Sequence, residues 1–491
     1  MNLADAVTYH ARTRPNAVAL LQYRGPLLRY AELDAAIRGT AAALLRGGIE
    51  PCQLVGVAMR TEPLHLVVLL ALARIGAVSL PVHPGMPETH RRAVVRKYKP
   101  VAIVSDPKAP PLEGSARIVA DPGWLEPLRE AAGPNASGFD GDGVWRVALS
   151  SGTTGAPKGA ALTHARMLEQ MLLHRSVIPI DGNSRYLASA DMNITFGLIP
   201  CLRHLFAGSA VVFPTTPRPV YFAEAVDRFA VTHMVTSPVA LSGMFATARG
   251  QAERFPSLQH IAVLGGQMSQ ALVRGALQRI SRRLWAIYGA SEVGVLAMAD
   301  LPTLLRHPGA VGHAVPWVEA QAVDDKDAVL PPGTSGVLRF RGLGFSSERY
   351  YEDPEASAKA FRDGWFYPGD TGAIAADGLL TLDGRIDDLI NLSGNKVQPE
   401  IVERALQGHP EVLEAAVFGA KAGAGRPALY AALVTRGKAS DDSLAELCRR
   451  TLSKVQTPEQ FFRVSELPRN EAGKVLRGEL AEWLKSGKLA S

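Results

Sequence analysis

The 491-residue chain is 47% apolar and 20% charged, the balance of an ordinary globular protein with no long disordered tract, and it is longer than one hydrophobic core usually serves. Its formal net charge of +6 is spread along the chain, and basic pairs such as Arg91-Arg92, Arg282-Arg283 and Arg449-Arg450 stand apart from one another, which speaks against a nucleic-acid-binding surface. Cys52, Cys201 and Cys448 are too scattered for a CxxC pair or a disulfide framework, so a reducing cytoplasm is the expected setting.

The N-terminus, MNLADAVTYHARTRPNAVAL, has no basic segment followed by an apolar one and does not read as a signal peptide. From Val55 a strand–helix–strand rhythm begins: VGVAM (55–59), LHLVVLLALARIGA (64–77) and VSLPV (78–82). The apolar run around Leu64–Ala73 is too short to span a bilayer, and no membrane span is expected. The rhythm returns in THMVTSP (232–238), HIAVLGG (260–266) and LWAIYG (284–289). It predicts an α/β fold whose large N-terminal domain holds helix-covered, mainly parallel sheets. After about Val323, Gly, Pro and Asp become dense and the chain reads as short strands and turns. A last block from Ile386 carries strands such as AAVFGA and ALYAALVT and helices such as PEIVERALQ. The composition change places a boundary near Arg385, with an N-terminal domain over 1–385 and a small α+β domain over 386–491.

Ser150-Ser151-Gly152-Thr153-Thr154-Gly155-Ala156-Pro157-Lys158-Gly159 follows the apolar run VWRVAL and precedes a helix that Thr163 is suited to cap. Three glycines allow close backbone approach, three hydroxyls add donors and Lys158 adds a positive charge, a combination that suits a phosphate-bearing ligand. The Walker spacing is absent. Taken alone, the run also fits a flexible Gly/Ser/Thr turn.

SSGTTGAPKG resembles the phosphate loop of the adenylate-forming superfamily, which includes acyl- and aryl-CoA synthetases, peptide-synthetase adenylation domains and beetle luciferases. Four further segments agree in order. Tyr288-Gly289-Ala290-Ser291-Glu292 is similar to the family's Tyr-Gly-x-Thr-Glu, with a hydroxyl kept at Ser291. Gly364-Trp365-Phe366-Tyr367-Pro368-Gly369-Asp370 resembles Gly-Trp-x-x-Thr-Gly-Asp, with Pro368 in place of Thr. Gly384-Arg385-Ile386-Asp387-Asp388 and the following Ser393-Gly394-Asn395-Lys396 resemble the linker and the thiol-step hairpin, whose usual glycine pair is Ser393-Gly394 here. Pro468 to Arg477 resembles the C-terminal Pro-x-x-x-x-Gly-Lys-x-x-Arg motif. Leu28 to Leu33 is like an early family motif, so the likeness covers nearly the whole chain.

The resemblance implies a small distorted barrel beside the large sheets and a C-terminal domain that rotates on a hinge. It implies ATP, Mg²⁺ and CoA as cofactor and co-substrates. Lys474, Glu292 and Thr154 would be catalytic, with Glu292 the metal ligand. Ser151, Gly152, Thr153, Thr154, Gly155, Lys158, Gly266, Gln267, Tyr288, Gly289, Ser291, Asp370 and Arg385 would bind the nucleotide. Asp387 would be the hinge, and Ser393 and Gly394 the thiol-step loop. By family position the acid pocket would draw on Met192, Asn193, Thr195, Phe196, Ser237, Val239, Ala290 and Val293. Ungapped placement puts Thr195 where amino-acid-activating members carry an anchoring Asp, which disfavours a plain amino acid unless Asp191 takes that part. The mostly apolar or small lining suits an apolar acyl or aryl acid. The implied function is ATP-dependent acid activation through an acyl-adenylate, followed by thioester formation. No carrier domain follows residue 491, so free CoA is the expected acceptor. A separate carrier protein is one alternative, and a catalytically silent nucleotide-binding module another.

Overall fold

The rhythm that starts at Val55 builds a six-stranded sheet. Its order is Arg117–Val119, Ala102–Ser105, Leu54–Ala58, Val78–Pro81, Val144–Leu149 and Gly159–Thr163, parallel except for the last pair. The connecting helix Pro63–Ile75 starts on a proline at its first turn and stops at Gly76, whose φ of 75° is the left-handed conformation glycine adopts without strain. Every residue of that helix is buried, which is why it is apolar all round rather than on one stripe. The chain is seen here in a computed structural model that describes residues 2–112, 115–126, 142–149, 157–216, 218–244, 255–280, 283–392, 395–421, 426–437, 439–469 and 475–489.

A second sheet has fifteen strands. Its parallel part runs Val18–Gln22, Ala210–Phe213, Arg185–Leu187, His233–Thr236, His260–Val263 and Leu284–Ala290. Beyond Leu284–Ala290 the pairings are antiparallel, through Gly294–Asp300, Ala310–Ala314, Leu379–Arg385, Asp370–Ile374 and Gly336–Gly342. The fold is therefore α/β with a large N-terminal sheet region, as expected, but the expected small barrel is not closed among the described residues. Among the strands Val318–Val323 pairs only with Gly336–Gly342, its other edge meeting just the turn at Val329 and Leu330, and the neighbouring strands continue the large sheet instead of returning to close a barrel.

After Arg385 new sheets begin. A hairpin joins Ile390–Leu392 to Asn395–Val397. A three-stranded sheet follows, with Val412–Lys421 antiparallel to Pro427–Thr435 and Gln460–Arg463 parallel to the latter. Helices Pro399–Gln407, Asp441–Thr451 and Arg477–Lys485 accompany it. This small α+β part touches the large one where Gln398 Nε2 donates to Arg385 O at 3.1 Å and the Arg404 guanidinium donates to Leu382 O. No helix among the described residues is long and apolar enough to cross a membrane.

Candidate active site

The parallel strands His233–Thr236 and His260–Val263 end at the loops holding Ser237 and Gly265-Gly266-Gln267. Open α/β sheets bind ligands at such carboxyl ends. Here Gly266, Gln267, Tyr288, Gly289, Asp370 and Arg385 line one cleft of about 330 Å³. Residues more than a hundred positions apart in the chain thus meet, as the nucleotide assignment expects. Asp370 and Arg385 face each other across an antiparallel pair, with Arg385 Nε 3.8 Å from Asp370 Oδ1. Burial opposes the charge on Arg385, but Asp370, Asp388, Asp387 and Glu292 outweigh it and hold the guanidinium firmly protonated. Tyr288 donates its phenol to Asp370 Oδ2 at 2.5 Å. Desolvation and the carboxylate beside it push that phenol well above its ordinary range, so it acts as a donor and not as a base. Gly289 sits at a register shift between Leu284–Ala290 and Gly294–Asp300. A Cβ there would lie 2.1 Å from Gly294 O, so any larger residue would push the strands apart where they border the cleft.

The phosphate side is bracketed by the antiparallel pair Val144–Leu149 and Gly159–Thr163, with Leu149 opposite Gly159. Thr163 does cap the next helix, its hydroxyl accepting from Arg166 N at 3.4 Å. Ser151, Gly152, Thr153, Thr154 and Gly155 lie outside the described residues, as do Ser393, Gly394 and Lys474. Pro157 O accepts from Tyr98 Oη at 2.9 Å, which pins the outgoing arm of the loop. Lys158 Nζ then stands 5.6 Å from the centre of the Tyr350 ring. Tyr350 donates to Glu292 Oε1 at 2.8 Å, and desolvation together with the Glu292 charge pushes this phenol up as well. Glu292 is 7% exposed. Tyr350 therefore links the proposed phosphate lysine to the proposed metal ligand, and the motif reading had not singled it out.

Among the described residues no group of three His, Cys, Asp or Glu side chains converges as a metal cage. A single buried, oriented carboxylate fits Mg²⁺, which typically keeps waters and is held by one or two carboxylates plus substrate phosphates.

A second cavity, of about 230 Å³, adjoins the Tyr288–Asp370–Arg385 cleft and shares Leu264, Gly265, Ile287 and Gly289 with it. Of the expected acid-pocket residues, Thr195, Phe196 and Ala290 line it, and Ser291 does too. The others are elsewhere. Met192 and Val293 are packed into the hydrophobic core. Asn193 is buried, donating to Met59 O at 2.9 Å and to Asp191 Oδ1 at 2.8 Å. Ser237 and Val239 line a different cleft, together with Glu400, Arg436 and Arg477 of the small domain. Asp191 is a knot of structure: it accepts from Thr61 Oγ1 at 3.0 Å and sits 2.9 Å from His83 Nε2. Against the burial that opposes it, His83 and Asn193 hold its carboxyl well below the usual range. It does not line the cavity, and among the described residues no carboxylate lining the cavity would meet an ammonium group.

The sequence reading missed the polar side of this cavity. Arg203, His174, His204, His233 and His260 all line it, with Tyr186 and Gln170. The rings form a file: Tyr186 stacks on His204 at 4.9 Å, His204 meets His233 at 5.0 Å, His233 lies 6.0 Å from His260, and His260 stacks on Trp285 at 4.5 Å. The available signal was Arg203-His204 at the end of the otherwise apolar helix Thr195–Phe206.

Asp387 is exposed, in the single 3₁₀ turn Ile386–Asp388 that joins the large sheet to the hairpin of the small domain.

The chain matches the AMP-binding enzyme family over residues 7–351 and the AMP-binding enzyme C-terminal domain over residues 401–474. It is 28% identical to a 4-chlorobenzoate–CoA ligase of Arthrobacter sp over 98% of this chain and 95% of that protein. It is 27% identical to a 3-hydroxybenzoate–CoA ligase of Aromatoleum sp. (strain CIB) over 94% and 92%. The fold matches O-succinylbenzoate coenzyme A synthetase (MenE) from Bacillus subtilis in complex with ATP and magnesium ion, with a TM-score of 0.84, 21% identity and coverage of 97% and 98%. With both of its parts matched in order over most of its length, the chain belongs to the AMP-binding enzyme family.

Proposed function

We propose that the protein is an AMP-forming acid:CoA ligase, acting in the cytoplasm on an acid with an apolar aryl or acyl body. The observation that carries this reading is the junction of the two cavities. The cleft lined by Tyr288, Asp370 and Arg385 shares Gly265 and Gly289 with a cavity suited to a small acid. An acid carboxylate held there would reach a nucleotide's α-phosphate.

In the first half-reaction a carboxylate oxygen of the acid bonds to the α-phosphorus of ATP and the bond to the β-phosphate oxygen breaks, releasing pyrophosphate. Little covalent chemistry falls to the protein, so positioning and charge stabilisation dominate. Asp370 receives the ribose hydroxyls, and adenine lies against Tyr288 and the Gly265-Gly266-Gln267 backbone. Ser291, Thr153, Thr154 and the backbone of Ser151, Gly152 and Gly155 donate to the phosphates. Lys158 faces the departing pyrophosphate, and Lys474 bridges the attacking carboxylate and the α-phosphate. Mg²⁺, when held by Glu292, supplies neutralisation of phosphate charge. In the second half-reaction a thiol attacks the carbonyl carbon, AMP leaves and the thiol proton is lost. Lys474 then has to withdraw, so the small domain over 386–491 turns about Asp387 and brings the Ser393-Gly394 hairpin to the thiol.

The test is acid-dependent pyrophosphate release over aliphatic, aryl and amino acids, with and without CoA, beside Lys474→Ala. Release that needs Lys474 and becomes catalytic with CoA is expected. Release indifferent to CoA would transfer the assignment to a carrier-protein-loading enzyme. Silence over the whole panel would replace it with a nucleotide-binding module.

A further inference from the structure

The acid cavity contains a buried cation with no acid beside it. Arg203 is 7% exposed, and among the described residues no Asp or Glu lines the cavity. Among the described residues its side-chain partner is His174, whose Nδ1 accepts from the guanidinium and must therefore be the unprotonated nitrogen. Burial pulls the Arg203 guanidinium down to about 10, and burial, with the fields of His233 and Arg203, takes His260 down to about 3. The imidazoles are thus neutral, and Arg203 alone carries the charge of the cluster. Asp181, whose field reaches His233, is exposed and spends its carboxylate on the backbone of Asn183 and Ser184.

Buried ionic groups are paired in folded proteins, and buried polar atoms are hydrogen-bonded. Here Arg203 Nε, His260 Nε2, Tyr186 Oη and Thr195 Oγ1 are all buried without a hydrogen-bond partner, and all four belong to residues lining this one cavity. All four are donors or can be, which matches an acceptor-rich ligand group.

The position of the cluster is equally specific. Tyr186, His233 and His260 lie at or near the amino ends of their parallel strands, whereas Gly265 follows the carboxyl end of His260–Val263. Five residues of near-extended chain separate His260 from Gly265, roughly 15 Å. The cluster is therefore at the end of the cavity away from the nucleotide, where the part of the acid remote from the reacting carboxylate would lie.

We infer that the acid activated by this enzyme carries a second anionic group, a carboxylate, at the end of its apolar body distant from the reacting carboxylate, and that Arg203 binds it with hydrogen bonds from the surrounding imidazoles and Tyr186. This rests on the ligase reading and narrows its substrate class to an acid with two separated carboxylates. A site built to satisfy a buried donor set rejects an analogue that leaves the set unpaired far more strongly than an apolar pocket rejects a wrong shape.

The experiment pairs each aryl or acyl diacid with its half-methyl ester and with the matching monoacid. Binding is followed by calorimetry and adenylation by pyrophosphate release, for the wild type and for Arg203→Met and Arg203→Lys. The wild type is expected to favour the diacids at least about a hundredfold over their partners in both measurements. Arg203→Met is expected to erase that preference while retaining the monoacids, and Arg203→Lys to restore part of it, a pattern that a purely structural arginine would not give. Equal binding of diacid, ester and monoacid by the wild type overturns the inference without any variant, as does binding of none of them. Diacid-selective binding with no pyrophosphate release would instead overturn the ligase reading and leave the assignment of the cavity intact.

Discussion

Tyr350 donates its hydroxyl to Glu292 at 2.8 Å while the face of its ring lies 5.6 Å from Lys158 Nζ. One aromatic side chain thereby orients the only carboxylate assigned to Mg²⁺ and stands beside the cation assigned to the leaving pyrophosphate. Partners that orient a metal-binding carboxylate typically matter 10–100-fold for metal affinity. Tyr350→Phe is therefore expected to raise the Mg²⁺ concentration needed for half-maximal pyrophosphate release about tenfold or more, with the acid KM little changed. A titration with MgCl₂ at saturating ATP and acid reads this directly. An unchanged Mg²⁺ requirement would remove Tyr350 from any positioning role.

Much of this architecture is legible in the sequence because the determinants are local. Leu54–Ala58, the wholly buried helix Pro63–Ile75 and Val78–Pro81 are announced by apolar runs of strand and helix length. Tyr288, Asp370 and Arg385 are singled out in the sequence because each sits in a short motif that resembles the family's, and the structure brings all three to one cleft. The acid cavity is different. It is lined by the helices His164–His174 and Thr195–Phe206, by the strands Arg185–Leu187, His233–Thr236 and His260–Val263, and by Leu149, Ile287 and Val295 of three further strands, and no local pattern records which residues of so many segments will meet. That is why Ser237 and Val239, only a few residues beyond His233, were expected there and instead line the cleft with Arg436 and Glu400. The barrel expectation comes from the resemblance rather than from any local pattern, and no short stretch of sequence records that Val318–Val323 pairs with Gly336–Gly342 without a closing strand among the described residues.

Asp370 presents two oxygens, one already engaged by Tyr288 at 2.5 Å and the other 3.8 Å from Arg385. A hydrogen bond to a charged group contributes about 1.5–3 kcal/mol, which corresponds to about a 10–100-fold change in affinity. Asp370→Asn is accordingly expected to raise the ATP KM at least about tenfold. Tyr288→Phe removes a competitor for the same carboxylate along with an orienting contact, and is expected to shift the ATP KM by less than about threefold. Competition by AMP, measured for both variants, separates ribose recognition from effects on turnover. Equal damage from the two substitutions would show that the Tyr288 contact, and not the carboxylate, organises the cleft.

Glu400 lies where the small domain meets the nucleotide cleft, accepting from Arg477 Nη2 at 3.0 Å. Burial, partly offset by Arg477 and reinforced by Glu403, pushes its carboxyl up to about 7. A carboxyl whose folded value exceeds its unfolded one binds more protons in the folded state between the two values, so its contribution to stability is full at pH below about 4.5 and falls away as pH rises toward 7. Glu400→Gln removes that titration while keeping an acceptor for Arg477. The variant is expected to flatten the fall in Tm of the small domain between pH 5 and 7 and to equal or exceed the wild type above pH 7. Thermal melts across this range decide it, and parallel curves for the two proteins would rule out Glu400 as the titrating group.

The final prediction concerns the division of labour between Lys474 and Asp387. A single lysine at the α-phosphate serves the first half-reaction and obstructs the second, because the thiol needs the same approach to the carbonyl carbon. Lys474→Ala is expected to lower pyrophosphate release by at least about a hundredfold, the scale of removing one positioned charge from a transition state, yet to convert a supplied acyl-adenylate and CoA into thioester and AMP near the wild-type rate. Asp387 occupies an exposed 3₁₀ turn with no side-chain cap, so a proline there fixes φ near −65° without displacing a packed side chain. If the small domain turns at this residue, Asp387→Pro holds it in one arrangement, sparing one half-reaction and lowering the other by at least about a hundredfold, while the melting temperature stays close to that of the wild type. The two half-reactions are measured separately, the first as pyrophosphate exchange into ATP and the second from synthetic acyl-adenylate. A proline variant that loses both in proportion would mean that the turn serves stability and not rotation, and the pivot would have to be sought at a neighbouring position.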